Sequence, residues 1–198
     1  MKRRLALFLD RDGVINVDRG YVHRVDQFVW IPGVFDTVRT ANRLGLAVIV
    51  ATNQAGIARG YYSERQFQEL TDWMKAQFAA ADAPLASVYY CPYHPDGLPP
   101  YDKDSPFRKP GTGMLVQAAA EQGLDLAASL LIGDRESDIA AGRSAGLLRT
   151  ALFSPGGPQP TQADSVLGSH ADACAWLSLV LAPGPGASNE APPPRSPS

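Results

Sequence analysis

The strongest pattern in this chain is a series of short, mostly apolar runs, several of which are followed directly by polar residues. The runs cover residues 5–9, 46–51, 87–90, 129–132 and 147–153. Apolar residues that follow one another without alternation are typical of strands buried on both faces of a parallel sheet. The pattern therefore predicts about five parallel strands.

Amphipathic segments lie between these runs and predict helices. One of them begins at residues 63–66, where Ser and Gln have the spacing of a capping box. Three others end at glycines, Gly45, Gly123 and Gly146, which are common at helix C-termini. A last helix is expected over about residues 171–181.

Strands that alternate with helices indicate an α/β fold with a parallel sheet. We predict a doubly wound sheet, that is, a Rossmann-like three-layer sandwich. A closed barrel would need eight strand–helix units, whereas this pattern provides about five. The longest irregular stretches cover residues 16–32 and 91–107. We expect these loops to cover the site, with no large cap domain.

Length and composition predict a single domain. The chain has 198 residues, of which 45% are hydrophobic, so it can bury one substantial core. We assign residues 1–182 to this domain. Residues 183–198 contain six prolines and no large apolar residue. Such a segment cannot bury a core, so we predict a disordered proline-rich tail.

The balance of charge excludes some classes of partner. The chain has 18 basic and 20 acidic side chains, so nothing indicates binding to nucleic acid or to an anionic membrane. No apolar segment is long enough to cross a bilayer. The only cysteines, Cys91 and Cys174, do not form a disulfide framework. We expect a soluble cytoplasmic protein and a monomer.

Polar residues that could take part in catalysis or ligand binding follow three of the predicted strands. Asp10 and Asp12 follow the first, Thr52 and Asn53 the second, and Asp134 the fourth. In a parallel sheet the carboxyl ends of the strands share one edge, and ligands bind there. We therefore expect these side chains to meet at one site.

The residue types at these strand ends favour phosphate chemistry. Two aspartates as close as Asp10 and Asp12 repel each other unless a cation binds or one of them is protonated. Mg²⁺ prefers oxygen ligands, and Arg108 and Lys109 just before a predicted helix could bind phosphate. Each feature has an ordinary alternative: Asp-x-Asp-Gly also ends strands as a turn, and adjacent cations also form surface pairs.

Several motifs occur in a recognisable order: Asp-Arg-Asp-Gly-Val-Ile-Asn, Asp-Arg-Gly-Tyr-Val, Thr-Asn-Gln-Ala-Gly-Ile-Ala-Arg-Gly, Tyr-Cys-Pro, Arg-Lys-Pro and Gly-Asp, at residues 10–16, 18–22, 52–60, 90–92, 108–110 and 133–134. This order resembles the haloacid dehalogenase-like phosphohydrolases. More closely, it resembles the D-glycero-D-manno-heptose 1,7-bisphosphate phosphatases, and the histidinol-phosphate phosphatases of the same subfamily are similar. The resemblance extends from about residue 5 to residue 153.

The resemblance implies a role for each polar strand end. Asp10 would be the nucleophile that forms an aspartyl-phosphate, and Asp12 the general acid and base. Mg²⁺ would be bound by Asp10, Asp134 and the backbone carbonyl of Asp12. Thr52 and Lys109 would bind the phosphoryl oxygens. The spacing of the residues alone does not distinguish the roles of the aspartates.

The resemblance also implies a set of sugar-binding residues, namely Asp18, Arg19, Gly20, Tyr21, Asn53, Arg108 and Arg135. Arg108 suits a second phosphate because its planar guanidinium can bind two oxygens at once. Tyr21 could equally serve only to pack the loop, without contacting the substrate. For Asp138 we expect a role in orienting its helix and the metal site rather than direct metal binding.

The chain departs from this family at a zinc loop. Many relatives have Cys-x-His and then Cys-x-Cys just before Arg-Lys-Pro. Here Cys91 matches the first ligand, whereas Tyr93, Ser105 and Phe107 occupy the other three positions and His94 is one residue out of register. Structural zinc needs four Cys or His ligands, so we predict that no structural zinc binds.

We therefore expect a Mg²⁺-dependent phosphatase that removes the 7-phosphate of heptose 1,7-bisphosphate in nucleotide-activated heptose biosynthesis. One alternative is a histidinol-phosphate phosphatase. An alternative of another class is a non-catalytic phosphosugar-binding protein. The expected partner is a small phosphosugar.

Overall fold

The computed structural model describes residues 4–182. The predicted tail at residues 183–198 lies outside this range. One six-stranded sheet forms the centre, and every pair of neighbouring strands is parallel. The spatial order is β3-β2-β1-β4-β5-β6. The strands are β1 (Ala6–Leu9), β2 (Ala47–Asn53), β3 (Ser87–Cys91), β4 (Leu130–Gly133), β5 (Arg149–Phe153) and β6 (Ser165–Leu167).

Helices cover both faces of the sheet. They are α1 (Val34–Arg43), α2 (Ala55–Ala58), α3 (Glu64–Ala80), α4 (Gly113–Gln122), α5 (Glu136–Ser144) and α6 (His170–Val180). Apolar side chains of α1, α3 and α6 pack with alternate sheet residues such as Leu7 and Leu9 on one face. Those of α4 and α5 pack with Phe8 and its neighbours on the other face. The predicted three-layer sandwich is confirmed.

The elements agree with the sequence pattern except at two short ones. All five predicted strands are present, and the capping box of Ser63 and Gln66 starts α3. The sequence analysis missed β6 and α2. β6 is a three-residue edge strand in which only Leu167 is buried, so it has no apolar run. α2 is a single helical turn within the motif at residues 52–60, and one turn is too short to show an amphipathic period.

The strand register brings the polar strand ends together. Leu9 pairs with Val50 on one side and with Ile132 on the other. The next residue, Asp10, donates its backbone N–H to the Ile132 carbonyl at 3.1 Å. The ends of β2 and β4 therefore flank Asp10 at one edge of the sheet. Among the described helices, none is both long enough and apolar enough to cross a membrane.

Candidate active site

A cavity of about 430 Å³ opens at the carboxyl edge of the sheet. Its size lies within the range of small-molecule sites. Of the residues with a predicted role at the site, eleven line it: Asp10, Asp12, Asp18, Gly20, Tyr21, Thr52, Asn53, Arg108, Lys109, Arg135 and Asp138. Asp134 has a carboxylate oxygen within 4.8 Å of Asp10 but is not among the lining residues, and Arg19 is exposed outside the cavity.

Lys109 is the buried cation of the site. Its Nζ lies 2.9 Å from Asp10 Oδ1 and 2.6 Å from Asp138 Oδ1, and it donates a hydrogen bond to the Ala51 carbonyl at 2.7 Å. Burial favours the neutral amine, but the two carboxylates outweigh it and raise the pKa of Lys109. The side chain therefore stays charged and stabilises Asp10.

Three carboxylates form the one group in residues 4–182 that could hold a metal ion. Oxygen atoms of Asp10, Asp134 and Asp138 lie within 4.8 Å of one another. Burial, followed by the charges of Asp10 and Asp138, raises the pKa of Asp134 to about 7. Asp134 Oδ1 is buried, and no side chain or backbone group among residues 4–182 donates a hydrogen bond to it. These features fit a divalent cation, which would offset the repulsion.

Gly13 allows Asp134 to approach the turn after β1. Its φ is +91°, which favours glycine, and an added Cβ would lie 2.2 Å from Asp134 Oδ2. The glycine of the Asp-x-Asp-Gly motif therefore provides space for the Asp134 carboxylate. A larger residue here would displace the oxygen atoms that could hold a metal ion.

Asp138 has both carboxylate oxygens engaged by protein donors. Oδ1 pairs with Lys109, and Oδ2 accepts the backbone N–H of Arg135 at 3.0 Å, which closes the first turn of α5. Asp138 lies within the carboxylate group, but these two contacts orient the helix and Lys109. That Asp138 supports the site instead of binding the metal directly stays a prediction, since its carboxylate also lies within the group that could hold an ion.

Three buried side chains donate to the Asp12 carboxylate. Arg11 Nη2 lies 2.9 Å from Oδ1 and 2.7 Å from Oδ2. Asn16 Nδ2 donates to Oδ1 at 2.9 Å, and Gln54 Nε2 donates to Oδ2 at 3.2 Å. Arg11 also donates to the Val22 carbonyl at 2.7 Å, which ties the first loop to this turn. Asp12 is thus held firmly at the cavity wall.

The first loop brings further predicted residues over the cavity. Asp18 accepts from the Gly20 N–H at 2.9 Å and pairs with Arg135 Nη2 at 2.7 Å. Tyr21 has a φ of +57°, which is strained for a residue with a side chain. Its ring packs edge-on against Tyr61 at 4.7 Å, so aromatic packing holds the strained residue at the cavity mouth.

The Asn53 side chain binds the backbone of Lys109 and so holds Lys109 near Thr52, the other candidate for phosphate binding. Its Nδ2 donates to the Lys109 carbonyl at 3.0 Å, and its Oδ1 accepts the Lys109 N–H at 3.0 Å. This pair fixes Lys109 beside the end of β2, next to Thr52. One N–H of the Asn53 amide is left to contact a substrate.

Six further residues line the cavity without a predicted role, namely Gln54, Ala55, Arg59, Tyr62, His94 and Ser137. Gln54 and Arg59 lie within the motif at residues 52–60, and their position after a strand end was the available signal. Tyr62 and His94 reach the cavity through tertiary packing, which no sequence period indicates.

The cavity is also lined by two arginines. They are Arg59 and Arg108, and the Arg59 guanidinium carbon lies 6.0 Å from the centre of the Tyr21 ring. Burial, followed by the charges of Arg108 and Arg59, lowers the pKa of His94, which also lines the cavity. This shift favours the neutral imidazole, which can form hydrogen bonds beside the two cations. This arrangement can bind a second anionic group.

The loop that differs from the zinc-binding relatives is braced by packing. Cys91 is buried, and its Sγ lies 3.9 Å from the Tyr93 carbonyl. The Tyr93 ring packs with Tyr101 at 5.9 Å, and Lys103 Nζ lies 4.4 Å from its centre. The Leu98 N–H donates to the Ala58 carbonyl at 2.6 Å. The prediction that no zinc binds stays a prediction.

Comparisons with known proteins agree with this site. A family model described as HAD-hydrolase-like matches residues 106–174. The D-glycero-α-D-manno-heptose-1,7-bisphosphate 7-phosphatase of Burkholderia mallei is 54% identical over 154 residues, which cover 77% of this chain and 81% of that protein. The D-glycero-β-D-manno-heptose-1,7-bisphosphate 7-phosphatase of Escherichia coli K12 is 44% identical over 172 residues, with coverages of 84% and 90%.

A solved structure has the same fold. The D,D-heptose 1,7-bisphosphate phosphatase of B. bronchiseptica, solved with magnesium and phosphate, has a TM-score of 0.76 and 27% sequence identity. The match covers 88% of this chain and 99% of that one. Together with the relatives above, it shows where the chain belongs. The chain is a member of the HAD-like hydrolases and, within them, of the D-glycero-D-manno-heptose-1,7-bisphosphate 7-phosphatase family.

Proposed function

We propose that this protein is a Mg²⁺-dependent phosphatase that removes the 7-phosphate of D-glycero-D-manno-heptose 1,7-bisphosphate. The observation that carries the proposal is the pairing of Asp10 with the buried Lys109 at 2.9 Å, in the cavity that Asp12 and Thr52 also line. A carboxylate nucleophile, a second carboxylate and phosphate-binding donors therefore face the same space. The relatives' names supply the substrate.

The reaction proceeds in two steps that use Asp10 and Asp12. An Asp10 oxygen attacks phosphorus while the ester P–O bond breaks, and Asp12 gives its proton to the departing sugar oxygen, which leaves as a hydroxyl. In the second step Asp12 takes a proton from water, the water oxygen attacks phosphorus of the aspartyl-phosphate, and the bond between phosphorus and the Asp10 oxygen breaks. Orthophosphate leaves, and both aspartates return to their starting states.

Charge neutralisation supports both steps. The Thr52 hydroxyl and the Lys109 ammonium would donate to the phosphoryl oxygens as negative charge develops. Asp10, Asp134 and the Asp12 carbonyl would hold Mg²⁺, whose chemistry when bound is to neutralise the charge of the phosphoryl group. The raised pKa of Asp134, at about 7, and its unpartnered buried oxygen support this assignment within the described residues.

A bisphosphate substrate suits the cations that line the cavity. Arg108 and Arg59, together with His94, would bind the 1-phosphate while the 7-phosphate lies at Asp10. Asp18, Gly20, Tyr21, Asn53 and Arg135 would contact the sugar between the two phosphates. The exposed Arg19 would reach the substrate only by a change of side-chain conformation. The two arginines favour the heptose over histidinol phosphate, which has no second phosphate.

The product would keep its 1-phosphate, which a nucleotidyltransferase reaction requires. We therefore place the enzyme in nucleotide-activated heptose biosynthesis, in the cytoplasm, with lipopolysaccharide as one destination of the heptose. A small phosphosugar is the partner in this proposal, and the protein acts as a monomer. Size-exclusion chromatography with light scattering would measure the oligomeric state.

Phosphate release from a substrate panel tests the proposal. The panel contains the α and β anomers of heptose 1,7-bisphosphate, because the relatives' names differ in the anomer, together with histidinol phosphate. Each substrate is measured with Mg²⁺ and with excess chelator. We expect kcat/KM for one heptose anomer to exceed that for histidinol phosphate by at least about 100-fold, with activity lost on chelation. A higher kcat/KM for histidinol phosphate would overturn the substrate assignment.

A further inference from the structure

A buried amide connects the two functional groups on the Asp12 side of the cavity. Gln54 has an exposed fraction of 2%. Its Nε2 donates to Asp12 Oδ2 at 3.2 Å and to Thr52 Oγ1 at 2.9 Å. Its Oε1 accepts the Tyr62 hydroxyl at 2.5 Å. Both ends of the amide are therefore engaged, and two of its contacts are candidates for direct contact with the substrate.

We propose that Gln54 is a positioning residue for the general acid Asp12, and that the Tyr62 hydroxyl fixes the orientation of the Gln54 amide. The inference rests on the proposed function, since it needs Asp12 to protonate the leaving oxygen. It assigns roles to two residues that the proposed reaction does not otherwise use.

The groups around the Asp12 carboxylate determine where its proton can point. The three side chains that contact the Asp12 carboxylate, Arg11, Asn16 and Gln54, all do so through nitrogen donors. A protonated Asp12 therefore faces donors on the protein side, so its own O–H points towards the cavity. The leaving oxygen of the substrate is the acceptor that this arrangement favours.

The orientation of the Gln54 amide decides whether it can accept the Asp12 proton. A glutamine amide can rotate by half a turn, which would exchange its oxygen and its nitrogen. With the oxygen towards Asp12, a protonated Asp12 would donate to Gln54 instead of to the substrate. The Tyr62 hydroxyl donates to Oε1, its one acceptor among residues 4–182, so a rotated amide would leave this buried hydroxyl proton without a partner. Gln54 therefore cannot compete for the proton while this bond is intact.

Close packing holds the Tyr62 ring in place. Its ring stacks on His23 with a centroid distance of 4.8 Å and an interplanar angle of 9°. A Cβ at Gly56 would lie 2.2 Å from the ring, so the glycine provides the space that the ring occupies. Burial raises the pKa of Tyr62, which keeps the hydroxyl protonated and able to donate. The ring is therefore a fixed support for Gln54.

Leaving-group dependence separates acid positioning from a general structural effect. A sugar hydroxyl is a poor leaving group that needs a proton, whereas p-nitrophenolate leaves without one. The ratio kcat/KM covers the steps up to phosphoryl transfer to Asp10, where Asp12 acts as the acid. Loss of acid positioning should therefore lower kcat/KM for the heptose bisphosphate and leave p-nitrophenyl phosphate less affected.

The experiment compares wild type with Gln54→Met and Tyr62→Phe on both substrates. We expect kcat/KM for the heptose bisphosphate to fall about 10–100-fold in Gln54→Met and about 5–10-fold in Tyr62→Phe. For p-nitrophenyl phosphate we expect losses of less than about 3-fold in both variants. Tyr62→Phe keeps the ring and removes only the hydroxyl, so it remains informative if Gln54→Met fails to fold.

Tyr90→Phe is the matched control, because its hydroxyl bonds Glu64 at 3.0 Å outside the cavity lining, and it should match wild type on both substrates. Equal losses on the two substrates in both variants, or no loss in either, would overturn the inference. So would a loss in Tyr90→Phe as large as that in Tyr62→Phe. A wild-type enzyme inactive on the bisphosphate would instead overturn the proposed function.

Discussion

At the scale of single residues, the site depends on one buried cation between two buried carboxylates. Lys109 is 4% exposed and contacts Asp10 and Asp138. Burying three charged groups costs free energy, and only their pairing offsets it. Burial raises the pKa of Asp10, and the Lys109 ammonium acts against this shift, so the pairing favours the ionised carboxylate that attack on phosphorus requires. Stability and catalysis therefore depend on the same contacts.

Removing the Lys109 charge should affect both properties. Lys109→Met leaves two buried carboxylates unpaired, so we expect the free energy of unfolding to fall by about 3–5 kcal/mol. We also expect phosphate release to fall by at least about 100-fold. Urea denaturation and phosphate-release assays measure these effects. The control is Lys109→Met with Asp138→Asn, which should regain part of the stability and none of the activity. A single variant as stable as wild type would contradict this account.

Removing the charge of Asp134 should raise the stability of the metal-free protein, whereas removing the charge of Lys109 should lower it. The raised pKa of Asp134 means that the ionised carboxylate is unfavourable in the fold above about pH 7. Asp134→Asn removes this charge, so we expect a higher Tm without Mg²⁺, by about 2–4 °C for each kcal/mol gained. The variant should also lose the increase in Tm that Mg²⁺ gives the wild type. An unchanged Mg²⁺ response would show that Asp134 does not hold the ion.

At the scale of elements, His170 connects α6 to α1 and to the turn after β1. Its Nε2 donates to the Val14 carbonyl at 2.8 Å, and its Nδ1 accepts from Thr37 Oγ1 at 2.9 Å. The bond from Nε2–H can form in either protonation state, whereas an Nδ1 that accepts from Thr37 requires the neutral imidazole. Burial lowers the pKa of His170, although the Val14 carbonyl and Asp36 act against this. The C-terminal helix therefore supports the active-site turn through one neutral side chain.

This connection predicts a pH-dependent stability. Because the pKa of His170 is lower in the fold than its unfolded value of about 6.5, the unfolded state binds more protons below that pH. Stability from this residue is therefore lost as the pH falls through about 6.5. We expect Tm to fall more between about pH 7.5 and about pH 5.5 in wild type than in His170→Gln. Equal decreases would contradict this role.

We predict that the loop between β3 and α4 keeps its structure without zinc. With Tyr93, Ser105 and Phe107 at ligand positions, packing of Tyr93 and Tyr101 braces the loop. We expect purified protein to contain far less than one zinc per chain and a zinc-selective chelator to leave Tm unchanged. Elemental analysis and thermal denaturation measure this. A stoichiometric zinc content would show that His94 and Cys91 find other ligands.

At the scale of the whole molecule, the site residues that directly follow a strand could be predicted from the sequence. Asp10, Thr52 and Asp134 were predictable because each follows an apolar run, and parallel pairing brings the ends of such runs to one edge. Lys109 was predicted to bind phosphate as a cation just before a helix, but only the resemblance assigned it to the phosphoryl oxygens, since it lies at no strand end and Asn53 fixes its position. Tyr62 and His94 were not predictable, because long-range packing alone brings them to the cavity.

The central claim is that the Asp10 carboxylate attacks phosphorus in this cavity. The most direct measurement compares phosphate release from heptose 1,7-bisphosphate by wild type and Asp10→Asn, with Tm as the check on folding. We predict that wild type releases phosphate and that Asp10→Asn, while still folded, releases less than about one thousandth as much. A folded Asp10→Asn variant that releases phosphate at a rate close to that of wild type would contradict the account.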